Sequence, residues 1–185
     1  MLRKYLVLAI LFFSGAAAFS QAVPAAVRNG NIEAGGFILG DRPDYGYHDM
    51  YGIGIVADVN LRQWYSMEIE GGYSFGNALS GTREEYYMAG PRVIWVHERW
   101  TPYAKVLFGL GGLTFPNPGN PHHDYANLTM GGGADWRWKR NLTIRVADVE
   151  YQDWFNFGHA TDLMTRAGSL TPLQISAGVK YRFFQ

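Results

Sequence analysis

The amino-acid sequence predicts an all-β fold, an eight-stranded antiparallel up-and-down transmembrane β-barrel with a polar, plugged lumen. Three observations lead to this prediction. The 185-residue chain contains 23 glycines, 16% aromatic residues and only 17% charged residues, a composition that favours strands and tight turns over a helical bundle. Apolar and polar residues alternate through several segments of strand length. The connections between these segments are short and long in turn.

The clearest predicted strand is WYSMEIEGGYSF, residues 64–75, which has two unlike faces. Tyr65 and Ile69 fall on one parity, whereas Glu68 and Glu70 fall on the other. Successive side chains of a β-strand point to opposite faces, so this alternation predicts one apolar and one polar face. The same pattern, stronger or weaker, predicts strands at residues 29–39, 51–60, 64–75, 84–96, 103–110, 126–138, 142–152 and 173–183.

Two of these strands contain an irregularity. Pro91 cannot donate a hydrogen bond to a neighbouring strand, and we interpret it as the site of a local bulge. In residues 142–152, the apolar parity of Leu142 and Ile144 passes to Asp148 and Glu150. A bulge near Ala147 would shift the phase by one residue and restore the two faces.

The predicted connections differ in length at the two ends of the meander. Long loops at one end and tight turns at the other are typical of outer-membrane barrels. The longest connection contains Trp154, Phe155 and Phe157 and is the predicted contact surface. The short connections are 61–63, 97–100 and 139–141, and the long ones are 40–49, 76–82, 114–124 and 154–170.

Residues 1–22 have the pattern of a secretory signal peptide. Arg3 and Lys4 precede the apolar stretch YLVLAILFF, and Ser20 and Ala22 stand where a signal peptidase reads small residues. The alternative is a retained N-terminal anchor, for which the apolar stretch is short. The sequence therefore predicts a signal peptide at 1–22, a barrel domain at 23–185, and an integral protein of the cell outer membrane.

Alternation alone does not decide which face of the barrel meets water, because a soluble lipocalin-type barrel would turn its charges outward. Two further features favour an apolar exterior. Aromatic residues stand near strand ends on the apolar face, where a membrane-interface girdle would lie. Glycines crowd the polar face, where we expect them to leave room for long charged side chains. These glycines are Gly52, Gly54, Gly72, Gly90, Gly109, Gly131, Gly133 and Gly178.

The charged residues of the polar face should then pair inside the barrel, because an isolated buried charge is costly. Counting from the hairpins predicts Glu68 or Glu70 opposite Arg92, and Arg92 near Lys105. The predicted lumen network is structural and consists of Glu68, Glu70, Arg92, Lys105, Asp135, Arg145, Lys180 and Arg182, with Asp135 opposite Arg145.

The C-terminal stretch SAGVKYRF resembles the insertion signal that the outer-membrane assembly machinery recognises. Ser176, Gly178, Tyr181 and Phe183 occupy the positions of this signal. With MAGPRVIWVHERWTPYAKVLFGLGG and GGGADWRWKRNLTIRVADVEY, the chain resembles the small outer-membrane β-barrels that include the OmpA transmembrane domain, OmpX and the opacity proteins. The resemblance implies two partners, outer-membrane lipids and the assembly machinery.

Three functions remain open at this point. The first is a non-enzymatic barrel with a structural or adhesin-like contact role through its outside loops, toward a ligand or surface that the sequence does not identify. The second is a small porin-like channel for ions or polar solutes. The third is a lipid-modifying enzyme, for which the sequence offers no His-x-Ser pair on a strand. The first is our expectation, with no catalytic residue.

Other partners and cofactors are not expected. The formal net charge of zero and the lack of a basic stripe argue against nucleic acid. The chain has no cysteine, which excludes disulfides and thiolate metal sites. His122, His123 and Asp124 lie together, but adjacent residues in a Pro/Gly-rich loop more often face solvent than bind a metal. We therefore expect no metal and no cofactor.

Overall fold

The computed structural model describes residues 30–44, 49–76, 81–114, 123–156 and 170–183. The predicted signal peptide and most of the predicted contact loop lie outside these ranges. The described residues include no helix that could cross a membrane. They form eight strands, β1 (Asn31–Arg42), β2 (Met50–Arg62), β3 (Tyr65–Phe75), β4 (Arg83–Ile94), β5 (Trp100–Thr114), β6 (His123–Lys139), β7 (Leu142–Asn156) and β8 (Leu173–Arg182).

The strands form a closed antiparallel barrel in which each strand pairs with its neighbours in chain order. The pairing of β1 with β8 closes the sheet, with Glu33 opposite Arg182 at one end and Arg42 opposite Leu173 at the other. Closure leaves no sheet edge to template association with another chain. The predicted eight-stranded up-and-down barrel is confirmed. We call its two ends the turn end, where the short connections lie, and the loop end.

The two faces of β3 lie as the alternation predicted. Glu68 and Glu70 point into the barrel and are fully buried, whereas Ile69 is 55% exposed on the outside. Outside, large apolar side chains stand exposed on every strand, among them Ile38, Ile55, Tyr87, Phe108, Met130, Tyr151 and Ile175. The barrel is therefore apolar outside and charged inside.

The two predicted irregularities had different outcomes. The bulge near Ala147 is confirmed, because the β7–β8 register shifts between Arg145 and Asp148. The prediction of a bulge at Pro91 is wrong. Ala89 stands opposite Phe108 and Arg92 opposite Lys105, which is the same register on both sides of the proline. Pro91 instead stays in the strand with its ring on the exposed face. Its lack of a backbone N–H does not change the register of β4 with its neighbours.

The inward glycines make room chiefly for aromatic rings and neighbouring backbone, not for charged side chains as expected. A Cβ on Gly72 would lie 2.3 Å from the Tyr86 ring, and one on Gly54 would lie 2.1 Å from the Phe37 ring. Of the polar-face glycines, Gly131 is the one whose Cβ would approach a charged side chain, that of Glu150 at 2.9 Å. Inward-pointing rings of one strand thus occupy the space beside glycines of another strand.

These rings belong to an apolar cluster that fills much of the interior toward the loop end. This cluster was not among the predicted features. The signal was available, because Phe37 and Leu39 share the parity of Glu33 and Asp41 on β1. The cluster consists of Phe37, Leu39, Val56, Tyr86, Met88, Leu107, Leu113, Tyr125 and Trp154, with Leu170 packed against it.

Candidate functional site

The candidate site is the charged interior of the barrel, which lies between the apolar cluster and the turn end. Its side chains come from β2 to β8, each placed by the inward parity of its strand. Charged groups this deeply buried are stable only when they are paired and hydrogen-bonded. The interior arranges them in two connected groups.

The first group is a closed ring of four alternating charges nearer the turn end. Arg92 donates hydrogen bonds to Asp58, at 2.7 Å, and to Asp135. Lys180 Nζ donates to the same two carboxylates, to Asp58 Oδ2 at 2.6 Å and to Asp135 Oδ2 at 2.6 Å. Each carboxylate therefore lies between two cations and each cation between two carboxylates, so the ring is neutral.

The second group is centred on the ammonium of Lys105. Its Nζ lies 2.7 Å from Glu68, 3.0 Å from Glu70, 2.6 Å from Asp148 and 2.5 Å from Glu150. An ammonium has three protons, so it cannot donate a full hydrogen bond to four carboxylates at once. Two strands, β3 and β7, each contribute two of these carboxylates, and the lysine of β5 lies among them.

Arg145 is the second cation of this group. Its guanidinium contacts Glu68 at 2.8 Å, Asp148 at 3.0 Å and Glu70 at 3.4 Å. Four carboxylates thus share two cations, which leaves this group with a formal excess of two negative charges. The bulge of β7 places Arg145 and Asp148 on the same inward side, although their spacing of three would otherwise separate them.

The Tyr103 ring is in contact with both guanidinium groups. The Arg92 Cζ is 3.6 Å from the ring centroid, and the Arg145 Cζ is 5.5 Å from it. The electron-rich face of an aromatic ring attracts a cation, so both contacts are favourable. Arg92 also reaches Glu68 at 3.5 Å, which joins the two groups.

A layer of neutral polar side chains separates the charges from the apolar cluster. Tyr86 donates to Glu70 at 3.1 Å and accepts from Gln174 at 2.8 Å. Gln152 accepts from the Trp154 indole at 2.8 Å and from Asn127 at 3.0 Å. The layer satisfies carboxylate oxygens on one side and buried aromatic donors on the other, which stabilises both neighbours.

The structure places all eight residues of the predicted lumen network on the inside of the barrel. Arg92 stands opposite Lys105 and Asp135 opposite Arg145, which are the predicted pairs. The predicted position of Arg92 opposite Glu68 or Glu70 is wrong by at least two residues, because its partner on β3 is Ser66. Arg182 lies apart from the two groups, paired with Glu33.

Six buried carboxylates of the interior were missing from the predicted set, including Asp41 and Glu84 near the loop end. Asp148 and Glu150 share the simple parity of the apolar Leu142 and Ile144, and they were left out of the set although the predicted bulge near Ala147 moves them to the polar face. Asp58 shares the polar parity of β2 and could have been included. Glu33 could be found only by pairing β1 with β8, because Arg182 is its partner.

The predicted assembly signal lies on β8 and just beyond it. Ser176 is buried inside the barrel, whereas Tyr181 and Phe183 are exposed on the outer face and in edge-on contact with each other, at 5.3 Å between ring centroids. Gly178 faces inward, where a Cβ would meet Phe37. Whether these residues direct assembly remains a prediction.

The carboxylates with the spacing of a metal site already surround a lysine ammonium. Among the described residues, Glu68, Glu70 and Asp148 bring carboxylate oxygens within 4.8 Å of one another, as a metal site would. The Lys105 ammonium contacts all three of them, so the protein supplies its own cation. His97 is exposed in the β4–β5 turn and lies away from this group. His122 and the side chain of His123 lie outside the described part.

A closed eight-stranded meander with a charged interior and an apolar exterior defines a class of fold, that of the small outer-membrane β-barrels. The comparisons with solved structures agree with this class. Neisserial surface protein A is similar with a TM-score of 0.62 at 12% identity, over 83% of this chain and 97% of that one. The resemblance predicted from the sequence is thereby confirmed at the level of the fold.

Two further solved structures show the same fold. Ail, the attachment invasion locus protein of Yersinia pestis, is similar with a TM-score of 0.53 at 16% identity, over 83% of this chain and 97% of Ail. The N-terminal β-barrel domain of Pseudomonas aeruginosa OprF is similar with a TM-score of 0.50 at 14% identity, over 84% of this chain and 100% of that domain. No protein-family profile matches the chain. No curated protein is significantly similar to it in sequence.

Proposed function

We propose that the protein is an integral outer-membrane barrel without enzymatic activity, and that it has a structural or surface-contact role through its loop end. The observation that carries the proposal is the inverted distribution of polarity. Charged side chains face the lumen, where every lysine and arginine of the two groups is paired with carboxylates, while the outer surface is apolar around the whole barrel. A water-soluble barrel would expose this belt to solvent at a large hydrophobic cost.

The positions of the exposed aromatic residues support the membrane placement. Rings that have one polar edge favour the interface between hydrocarbon and water. Trp64, Trp100, Trp138 and Tyr181 are exposed near the turn end, and Tyr51, Tyr73, Phe75 and Phe155 are exposed near the loop end. Two such girdles, one at each end of the apolar belt, are typical of membrane-spanning barrels.

The filled interior favours a contact role over transport or catalysis. The ion-pair groups, the polar layer and the apolar cluster together occupy the interior from the turn-end cavity to the loop end. The carboxylates of the two ion-pair groups are all in contact with a lysine or arginine, and the interior carboxyl pair without an ion pair to a described cation is Asp41 with Glu84, near the loop end. A porin-like channel is the second candidate, and it requires an open path through these layers.

Membrane insertion can be tested by fractionation and heat modifiability. We expect the protein, expressed with its signal peptide in a Gram-negative host, to appear in the outer-membrane fraction and to migrate differently on SDS gels before and after boiling, because a closed barrel has no edge from which to unzip. A protein in the soluble periplasmic fraction with heat-independent migration would contradict the proposal.

The contact role can be tested by shortening the longest connection. We would replace residues 157–169 by Gly-Asn-Gly and compare binding of whole cells to host-cell and matrix-coated surfaces, with an equal-length shuffle of the same residues as control. Loss of binding in both variants, with heat modifiability retained, would support the role. If cells with the unmodified protein or with either variant bind no better than cells that lack the protein, the barrel has a purely structural role. Ail has been crystallised with the heparin analogue sucrose octasulfate, so a sulfated glycan is one surface to include.

A further inference from the structure

A polar cavity of about 610 Å³ opens at the turn end of the barrel. Its walls come from seven strands and include Asn31, Asn60, Thr101 and Thr143. Its floor is the ring of Asp58, Arg92 and Asp135 with Lys180 behind it. Because the ring is closed by hydrogen bonds, the cavity is a blind pocket with one mouth. Its volume lies in the range of small-molecule sites.

The charges that line this cavity do not balance. Glu33 is matched by Arg182, and the floor carboxylates are matched by Arg92 and Lys180. Arg62 and Arg137 also line the cavity, and neither has an ion pair with a described residue. The cavity therefore carries two arginines whose charge no described carboxylate neutralises.

We propose that the turn-end cavity binds a small anionic solute, with Arg62 and Arg137 as its anion-binding residues. Guanidinium groups bind carboxylate and phosphate in a bidentate manner, with geometric specificity as well as charge. The amide and hydroxyl groups of the walls supply further donors for a polar ligand. The inference concerns the end opposite the proposed contact surface and does not depend on that role.

The two arginines differ in a way that makes each informative. Arg62 is exposed at the end of β2 and defines the mouth, whereas Arg137 is half-buried on β6 and lies deeper in the wall. Arg42 provides a matched control, because it is an exposed arginine at the opposite end of the barrel, 3.7 Å from Asp49. A long-range effect of net charge would change all three variants alike. A local site would distinguish them.

The test uses the full-length mature protein refolded in a maltoside detergent, whose headgroup carries no phosphate. Citrate and inorganic pyrophosphate are titrated at fixed ionic strength, with maltose as an uncharged control. The readout is the backbone NMR signals of Asn60, Thr101 and Thr143, compared with loop-end residues such as Ser74. We expect saturable shifts confined to the turn end. Arg137→Gln should weaken binding roughly tenfold and Arg62→Gln somewhat less, while Arg42→Gln stays within about twofold.

Folding of each variant is checked by heat modifiability, and Arg62→Gln keeps the test valid if Arg137→Gln does not fold. The source of the anion is separated by repeating the titration in nanodiscs of phosphatidylcholine and of phosphatidylglycerol. Weaker citrate binding in the phosphatidylglycerol discs would identify a lipid headgroup as the occupant, and equal binding would identify a free solute. Shifts that do not saturate, or an equal loss in Arg42→Gln, would overturn the proposal.

Discussion

At the scale of single residues, the interior depends on glycines that leave space for aromatic rings from other strands. An eight-stranded barrel has room for few side chains at each level, so a bulky ring requires the facing position to be empty. Tyr86 fills the space above Gly72 and Trp154 the space above Gly111. Because the Tyr86 hydroxyl also contacts Glu70 and Gln174, the glycine indirectly positions part of the polar layer.

Gly72→Ala should therefore destabilise the barrel although alanine is small. The new methyl group would overlap the Tyr86 ring, whose nearest carbon stands 2.3 Å away, and overpacking of this kind costs about 1–3 kcal/mol. Gly40→Ala is the matched control, because its Cβ would have no atom nearer than 3.9 Å. The measurement is the urea unfolding midpoint in lipid vesicles. Equal midpoints for the two variants would contradict the role given to Gly72.

At the scale of elements, the β4–β5 hairpin stores strain in its turn. His97 and Trp100 exchange both backbone hydrogen bonds, each at 2.8 Å, so Glu98 and Arg99 form a two-residue connection. Such turns favour glycine or asparagine, because at least one central residue has a positive φ. Glu98 has a φ of 53°, in the left-handed region, where a residue with a Cβ is at a disadvantage of about 1–2 kcal/mol.

Glu98→Gly should stabilise the barrel. The release of strain exceeds the added entropy of a glycine in the unfolded chain, which costs about 0.5–1 kcal/mol, so we expect a net gain of up to about 1 kcal/mol. Arg99→Gly, at the next residue, adds the same entropy to the unfolded chain but relieves no backbone strain. It should therefore be neutral or destabilising. The urea unfolding midpoints of the two variants test this prediction. A midpoint of Glu98→Gly below that of the unmodified protein would contradict it.

The sequence predicted the existence, order and faces of the strands better than their ends. Alternation is a local property, and Glu68 and Ile69 lie on the predicted sides because a strand allows no other arrangement of neighbours. β5 was predicted at 103–110 and extends over Trp100–Thr114. The two ends of β5 were not predicted because Pro102 and the pair Gly111–Gly112 show no alternation of polar and apolar residues. Pairing with β4 and β6 nevertheless keeps these residues in the sheet.

β8 offers a test of the predicted assembly signal. Phe183 lies on the exposed outer face with Tyr181, and its N–H donates to the carbonyl of Ile32 at 2.9 Å, so it belongs to the closing seam of the barrel. We expect Phe183→Ala to lower the amount of protein in the outer membrane more than Phe184→Ala does. Phe184 lies outside the described residues. Equal levels by quantitative immunoblotting would refute the assignment of Phe183.

At the scale of the whole molecule, the charge network could be predicted in kind but not in its partners. Cross-strand neighbours such as Asp135 and Arg145 follow from hairpin counting, because a tight turn fixes their register. Contacts across the lumen, such as Lys105 with Asp148, join strands that are not neighbours in the sheet. They depend on closure of the barrel, which no local pattern determines. The same contacts decide whether the barrel conducts.

Conductance in planar bilayers therefore tests the whole arrangement. We expect the unmodified barrel to show negligible or flickering conductance, because two ion-pair groups and the apolar cluster fill an interior only wide enough for side chains. Lys105→Ala should raise the conductance and make it cation-selective, since it leaves four carboxylates with Arg145 alone as their cation. The same variant should lose about 3–5 kcal/mol of stability, as breaking a buried ion pair does. Arg42→Ala, whose side chain is 81% exposed at the loop end, should change neither property. A steady, well-resolved open channel in the unmodified protein would contradict the closed interior, and a porin-like role would then replace the contact role.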